Sequence, residues 1–188
     1  FQKMIRQLVG TNNIDCCARV CHSPTAWGMQ QSFGTGAGTN SAADIPLADL
    51  MIVIGANPTA AHPVTGAKIK QQAMNGATLI VIDPVRTELA RMADYHLQLK
   101  PGTNVAVLNM IQYYIVEAGL VDHEFIKERC EGGEEFLEQI KDLDVDAMAK
   151  ISGLDKDDVK AVALAYASAK NAMEFHGLGV TEHSQGTK

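Results

Sequence analysis

The sequence predicts an α/β fold: a doubly wound, mostly parallel sheet with helices on both faces, of the Rossmann-like kind. Two short and uniformly apolar runs, L-M-I-V-I-G at 50–55 and A-T-L-I-V-I-D at 77–83, are typical of parallel strands that are buried on both faces. Between them, residues 62–75 carry apolar side chains at helical spacing, and Gly76 follows as a helix-ending glycine. Strand, helix and strand in this order form a β-α-β unit.

The alternation continues along the chain. A short helix is expected over 87–92, then a third strand over Tyr95–Leu99, then a turn at Lys100-Pro101-Gly102. Further helices are expected over 104–117, 122–130, 134–141, 145–151 and 155–169, with a last strand over Met173–His176. Residues 1–9 have the pattern of an amphipathic helix. The helices would cover both faces of the sheet.

Length and composition limit the classes of protein to consider. With 188 residues, 46% hydrophobic and 20% charged, the chain is typical of one globular domain over residues 1–188. A net charge of −6 argues against nucleic-acid binding, and the longest apolar run, 50–56, is too short for a membrane span. We expect a cytoplasmic location. The sequence begins without Met and already within the helical pattern of residues 1–9, so we expect a piece of a larger protein.

The cysteines are placed unevenly: Cys16, Cys17 and Cys21 lie together, and Cys130 lies far away. Such a cluster indicates chemistry more than a disulfide framework. A thiolate is a good ligand for a soft or high-valent metal, and a histidine such as His22 can accept a proton near neutral pH. Small buried cysteines and a zinc knuckle are the alternatives, although a second C-x-x-C pair is lacking.

The segment C-C-A-R-V-C-H-S-P at 16–24 resembles the metal-ligand segment of molybdenum- and tungsten-dependent formate dehydrogenases, in the molybdopterin (dimethyl sulfoxide reductase) oxidoreductase superfamily. The resemblance extends over essentially the whole chain. It implies that Cys21 is the metal ligand and that His22 is a catalytic proton acceptor or relay. In the related nitrate reductases the ligand cysteine is usually followed by Met, so His22 favours formate dehydrogenase.

The same resemblance implies a molybdopterin guanine dinucleotide site at the strand-end loops, and a small-residue loop near the pterin at 34–40. Open α/β sheets bind ligands at the carboxyl ends of their strands. The implied cofactor-binding residues are Gly55, Asn57, His62, Asp83, Arg86, Gly102, Asn104, Leu178 and Glu182. Taken singly, several are also ordinary turn formers or helix caps.

The implied reaction is oxidation of formate to carbon dioxide at molybdenum or tungsten held by two pterin dinucleotides. An iron–sulfur cluster is expected outside this segment, since its closely spaced cysteines are lacking here. Expected partners are formate, the remaining domains of the same subunit, and electron-transfer subunits or acceptor proteins. The segment alone is expected to be inactive. The alternatives are a nitrate or other oxyanion reductase of the same superfamily, and a binding module that holds a nucleotide cofactor without chemistry.

Overall fold

The computed structural model describes residues 1–186 and has an α/β architecture. The strands are β1 Leu50–Ile54, β2 Thr78–Ile82, β3 Tyr95–Leu97 and β4 Ala172–His176. The α-helices are α1 Gln2–Met4, α2 Ser23–Phe33, α3 Pro58–Ala61, α4 Pro63–Met74, α5 Glu88–Met92, α6 Asn104–Glu117, α7 His123–Arg129, α8 Gly133–Lys141, α9 Val145–Ser152, α10 Lys156–Ser168 and α11 Leu178–Thr181. A π-helix spans Ile5–Val9, and 3-10 turns span Cys17–Arg19 and Ile45–Leu47.

The four strands form one sheet in the order β3-β2-β1-β4, and every pairing is parallel. Leu50 in β1 pairs with Thr78 on one side and with Ala172 on the other. The predicted parallel sheet is therefore confirmed. Since all strands run the same way, their carboxyl ends meet at one edge, and the order of connection reverses between β1 and β4.

Alternate strand residues bury their side chains on opposite faces of the sheet, as the pleat requires. On one face Ile52 and Ile80 join a cluster with residues of α6 and α10. On the other face Val53 and Val81 pack with residues of α4 and α5. Both faces are covered by helices, which explains why the strands are uniformly apolar and confirms the doubly wound arrangement.

The residues group into two compact units. The first, here called the cysteine unit, comprises Phe1–Thr39 and the described residues from Thr181 onward. The second, the sheet unit, is Asn40–Val180. Every buried hydrophobic residue found among residues 1–186 belongs to the sheet unit. That residues 1–188 act as a single domain stays a prediction.

Three local features differ from the sequence-based expectation. Helix α2 was not predicted, because none of its residues is buried and it therefore lacks a marked apolar face. The N-terminal helix is confirmed, but it continues beyond Met4 as a π-helix. Strand β3 ends at Leu97 and not at Leu99, since the Leu99 N–H turns back to the Leu97 carbonyl.

Within residues 1–186 no helix combines the length and apolarity that a membrane span requires.

Candidate functional site

Four loops follow the carboxyl ends of the parallel strands, here called the strand-edge loops. They are 55–58 after β1, 83–86 after β2, 100–104 after β3 and 177–180 after β4. Backbone hydrogen bonds carry the pairing into the loops: the Gly55 N–H donates to the Ile82 carbonyl at 3.0 Å, and the Asp83 N–H to that of Leu97 at 3.2 Å. The structure thus brings Gly55, Asp83 and Gly102 to one edge of the sheet.

The loops after β1 and β4 pack backbone against backbone. Gly55 has a φ of +55°, and a Cβ on it would lie 2.7 Å from the Gly179 carbonyl carbon. The Gly179 N–H donates to the Gly55 carbonyl at 3.0 Å. No side chain fits at this contact, so glycine is required at Gly55 by both conformation and space. The two loops adjoin at the reversal between β1 and β4, where open α/β sheets bind their ligands.

Asn104 ties the first turn of α6 to the same place. Its side chain is buried, and its Nδ2 donates to the Gly179 carbonyl at 2.9 Å. Asn104 therefore holds the loop after β4 against α6. The family resemblance implies that Asn104 lies near a cofactor; the structure places it beside the Gly55–Gly179 contact, with its amide nitrogen bonded to the Gly179 carbonyl.

The loop after β2 is held by side chains from and just after β3. The Asp83 carbonyl accepts from Nε2 of His96 at 3.0 Å, and the Pro84 carbonyl accepts from Nε2 of Gln98 at 2.9 Å. The buried Asp83 carboxylate accepts the N–H of Val85 at 2.8 Å, which closes a tight turn. Sequence reasoning missed His96 and Gln98, because an alternating strand pattern does not tell which polar side chain reaches a neighbouring loop.

The next predicted residue on this loop, Arg86, is exposed. Within residues 1–186 its guanidinium makes no hydrogen bond or ion pair. A free guanidinium of this kind presents a planar set of donors suited to phosphate oxygens.

The remaining predicted positions in the sheet unit are exposed or partly buried. Asn57 precedes α3, and its Oδ1 accepts the Thr59 hydroxyl at 2.9 Å. His62 is exposed where α3 passes into α4, and Gly102 has a φ of +83° with open space around it. Leu178 begins α11 and is partly buried. Open surroundings at Gly102 mean that its turn, and not close packing, requires a glycine there.

In the cysteine unit the chain makes a sharp turn before α2. The Cys21 N–H donates to the Ala18 carbonyl at 3.3 Å, and the Ala26 N–H donates to the His22 carbonyl at 2.8 Å as α2 begins. Pro24 occupies the first turn of the helix, where its missing N–H costs nothing. Cys21 is partly buried, whereas the other three cysteines are exposed, and all four are free thiols.

The electrostatic surroundings of Cys21 favour the protonated thiol. Partial burial, the adjacent Cys17 with its hydrogen bond, and the carboxylate of Glu182 raise the pKa of Cys21, while the His22 N–H opposes them. Within residues 1–186 no cationic side chain is among the groups that act on this thiol. The side chains that act on it are a second thiol and a carboxylate, so a metal that binds Cys21 must displace its proton.

A chain of hydrogen bonds extends from His22. Its Nδ1 lies 3.3 Å from the Thr25 hydroxyl, which in turn donates to the Thr181 hydroxyl at 2.7 Å. Thr181 is buried. Sequence reasoning missed Thr25 and Thr181, which stand far apart in the chain; the i, i+3 spacing of His22 and Thr25 on a helix start was the one available signal.

The small-residue loop at 34–40 begins where α2 ends. Gly34 closes the helix in the left-handed conformation, and a Cβ on Gly36 would lie 3.1 Å from the Ala26 carbonyl oxygen. Gly36 therefore allows this loop to pack against α2, whereas Gly34 provides the positive φ that ends the helix. Among residues 1–186 no group of three or more His, Cys, Asp or Glu side chains is arranged to hold a metal ion.

Comparison with known proteins identifies relatives along the whole chain. The family profile described as molybdopterin oxidoreductase matches residues 1–188. Formate dehydrogenase H of Escherichia coli (strain K12) is 40% identical over 188 residues, which are 100% of this chain and 26% of that protein. The F420-dependent formate dehydrogenase subunit alpha of Methanocaldococcus jannaschii is 44% identical over 186 residues, 99% of this chain and 28% of that protein. The chain thus spans about a quarter of the length of these relatives.

Among solved structures, acetylene hydratase from Pelobacter acetylenicus superposes with a TM-score of 0.80 at 26% identity. The match covers 96% of this chain and 24% of that one. A protein named for a hydration reaction and two named as formate dehydrogenases thus resemble the same chain. The reaction must therefore be argued from the residues of the site and not from the fold.

Proposed function

This chain belongs to the molybdopterin oxidoreductase family, and we propose that it forms part of the catalytic subunit of a formate dehydrogenase, which oxidises formate to carbon dioxide. The observation that carries the proposal is the Cys21-His22 pair at the turn before α2, in a chain 40% identical to formate dehydrogenase H. Remaining domains of the same subunit and electron-transfer partners would complete the enzyme.

The chemistry of the residues present suits a pterin-bound molybdenum or tungsten, and we propose that the pterins are two guanine dinucleotides. The donor set supports this: Cys21 offers one partly buried soft thiol, and Arg86 offers an unpaired guanidinium. We propose that Cys21 binds the metal and that Arg86 contacts phosphate. Asp83 would accept hydrogen bonds from the nucleoside part, because its carboxylate would repel phosphate.

The other proposed cofactor contacts are the remaining residues that the family resemblance implies. They are Gly55, Asn57, His62, Gly102 and Asn104 for one dinucleotide, and Leu178 and Glu182 for the second. Asn104 can contribute only the part of its amide that the Gly179 carbonyl does not occupy. The Glu182 carboxylate acts on the pKa of Cys21. It would accept hydrogen bonds from N–H or O–H groups of the cofactor, whereas the phosphates would repel it.

When bound, the metal centre supplies the two-electron oxidation of formate. Cys21 contributes the thiolate ligand after losing its proton, and His22 accepts the proton that formate oxidation releases. His22 lies next to Cys21 in the chain, so the proposed proton acceptor adjoins the proposed metal ligand. An iron–sulfur cluster elsewhere in the complete protein would take the electrons onward.

Formate-dependent reduction of a dye by the complete purified protein, together with its metal and pterin content, tests this proposal. We expect formate oxidation, molybdenum or tungsten, and pterin in the complete protein, and no turnover by residues 1–188 alone. A loaded protein that reduces nitrate and leaves formate untouched would identify an oxyanion reductase instead. A complete protein that binds nucleotide but contains neither metal nor pterin would be the non-catalytic binding module.

A further inference from the structure

We propose that His96 and Gln98 are positioning residues, which fix the loop 83–86 in the form that presents the Arg86 guanidinium to the phosphates of a dinucleotide. The inference rests on the proposed dinucleotide site and adds the residues that shape one of its loops. Both side chains act through the backbone of this loop.

The two side chains reach the loop from the neighbouring strand. β3 lies beside β2 in the sheet, and the loop 83–86 follows β2. Nε2 of His96 donates to the Asp83 carbonyl at 3.0 Å, and Nε2 of Gln98 donates to the Pro84 carbonyl at 2.9 Å. A carbonyl oxygen can only accept, so Nε2 of His96 carries the hydrogen of this bond. Two consecutive carbonyls of the loop are thus held by side chains.

The rest of the loop is bonded to itself. The Asp83 carboxylate accepts the Val85 N–H at 2.8 Å, and the Val85 carbonyl accepts the Thr87 N–H at 2.8 Å just before α5. Pro84 has no N–H to place. Within residues 1–186 the Arg86 guanidinium is the donor group of this loop that stays unbonded, so the loop holds it ready for an outside acceptor.

The direction of the two carbonyls decides whether Arg86 stays available. A carbonyl oxygen carries a partial negative charge, so one that faced a bound phosphate would repel it. A free carbonyl could also accept a hydrogen bond from the guanidinium and compete with the phosphate. His96 and Gln98 occupy both oxygens with donors of their own, which leaves Arg86 for the anion.

The chain contains a second bond of the same kind that serves as a control. Nε2 of Gln72 donates to the Ala48 carbonyl at 2.7 Å, just before β1 and therefore at the opposite edge of the sheet from the strand-edge loops. Gln72 is partly buried, whereas Gln98 is exposed. Loss of the Gln72 bond should cost at least as much stability as loss of the Gln98 bond, without touching the proposed site.

The experiment measures how firmly the complete protein holds its guanine nucleotide. Nucleotide is released from the purified protein by acid hydrolysis and quantified, before and during dialysis against dilute urea. We expect Gln98→Met to lose nucleotide about twofold to tenfold faster than the wild-type protein, the factor that corresponds to one hydrogen bond. Gln72→Met should lose it at the wild-type rate, although its thermal midpoint should fall at least as much.

Two further variants separate positioning from general stability. His96→Leu should speed the loss in the same direction, and His96→Gln, which keeps a side-chain N–H donor, should restore most of the retention. In an Arg86→Gln background, Gln98→Met should have little additional effect, because residues that act through one another are not additive. A purely structural role of Gln98 would give the same effect with or without Arg86.

Three results would overturn the inference: wild-type retention in Gln98→Met, equal losses in Gln98→Met and Gln72→Met, or an undiminished effect of Gln98→Met without Arg86. Gln98 is exposed, so its variants decide the matter even if His96→Leu does not fold. A complete protein without guanine nucleotide would overturn the inference and the proposed cofactor together. The expected pattern of retention in a protein that does not oxidise formate would support the inference and contradict the proposed reaction alone.

Discussion

The two units of this chain differ in what holds them together. The sheet unit buries apolar side chains on both faces of its sheet, and Ile80, Val81 and Met110 are completely inaccessible to solvent. In the described part of the cysteine unit no hydrophobic side chain is buried, and Trp27 and Phe33 are 57% and 65% exposed. The first unit is stabilised by apolar burial, whereas the second depends on hydrogen bonds and close glycine contacts.

The buried side chains that stabilise the chain and the residues proposed to do chemistry therefore belong largely to different units. The residues proposed to bind the metal and to accept the proton lie in the unit with the least apolar burial. The strand-edge loops proposed to bind the dinucleotide lie on the well-packed sheet. Substitutions in the cysteine unit should therefore affect turnover more than unfolding, and substitutions in the sheet should do the reverse.

The largest effect is expected at Cys21. Cys21→Ser should abolish formate oxidation, because a hydroxyl is a poorer ligand than a thiolate for a soft or high-valent metal. Turnover is measured by formate-dependent dye reduction and metal content by elemental analysis of the complete protein. The thermal midpoint of unfolding should be nearly unchanged, since Cys21 contributes no buried apolar surface to a core.

The exposed cysteines provide matched controls for that result. Cys16→Ser and Cys130→Ser should retain turnover, because both thiols are exposed and neither acts on the pKa of Cys21. Cys17→Ser should have an intermediate effect through its hydrogen bond to Cys21. Full activity in Cys21→Ser together with a loss in Cys17→Ser would show that the metal ligand is misassigned.

The second effect concerns His22. His22→Ala should lower kcat about a hundredfold to ten-thousandfold, the usual contribution of a general acid or base, while metal and pterin content stay near the wild-type values. His123→Ala removes an exposed histidine at the start of α7 and should leave kcat unaltered. If fully loaded His22→Ala turned over formate at the wild-type rate, His22 would have a structural role only.

The same contrast explains what the sequence could and could not predict. Strands β1 and β2 were predictable because both of their faces are buried, which leaves a continuous apolar run in the sequence. Helix α2 was not, since a helix without a buried face has no periodic pattern to detect. Secondary structure is detected in a sequence through the pattern of buried apolar side chains. The described part of the cysteine unit buries none of its hydrophobic side chains.

The candidate site divides in a similar way. Loops that follow parallel strands could be placed at one edge of the sheet from the order of elements alone. The bond from Asn104 to Gly179, the support of the Asp83 loop by His96, and the contact of Thr25 with Thr181 join residues far apart in sequence. Polar contacts of this kind leave no periodic trace, so only coordinates reveal them.

A pair of truncations tests the contrast in apolar burial directly. In urea unfolding of the 188-residue chain, Ile80→Ala should cost about 2–5 kcal/mol, as for a fully buried branched side chain, because it leaves a cavity in the core. Trp27→Ala should change the free energy of unfolding by less than about 0.5 kcal/mol, although it removes a larger side chain. Equal losses in the two variants would mean that the cysteine unit shares in the cooperative core.

The last comparison concerns two strand-edge glycines that differ mainly in the space around them. Gly55 and Gly102 both have positive φ, at +55° and +83°, so a Cβ strains the backbone by about 1–2 kcal/mol at either position. At Gly55 the new methyl group would also collide with the backbone of Gly179, whereas at Gly102 nothing lies within 4 Å of it. Overpacking typically adds about 1–3 kcal/mol.

Gly55→Ala should therefore destabilise the chain by about 2–5 kcal/mol in urea unfolding, and Gly102→Ala by only about 1–2 kcal/mol. The difference between the two variants measures the contact that joins the loops after β1 and β4, free of the conformational cost that they share. Equal losses would show that the loop after β4 can move away from Gly55 without cost. In that case the Gly55–Gly179 contact could not fix the geometry of the proposed dinucleotide site.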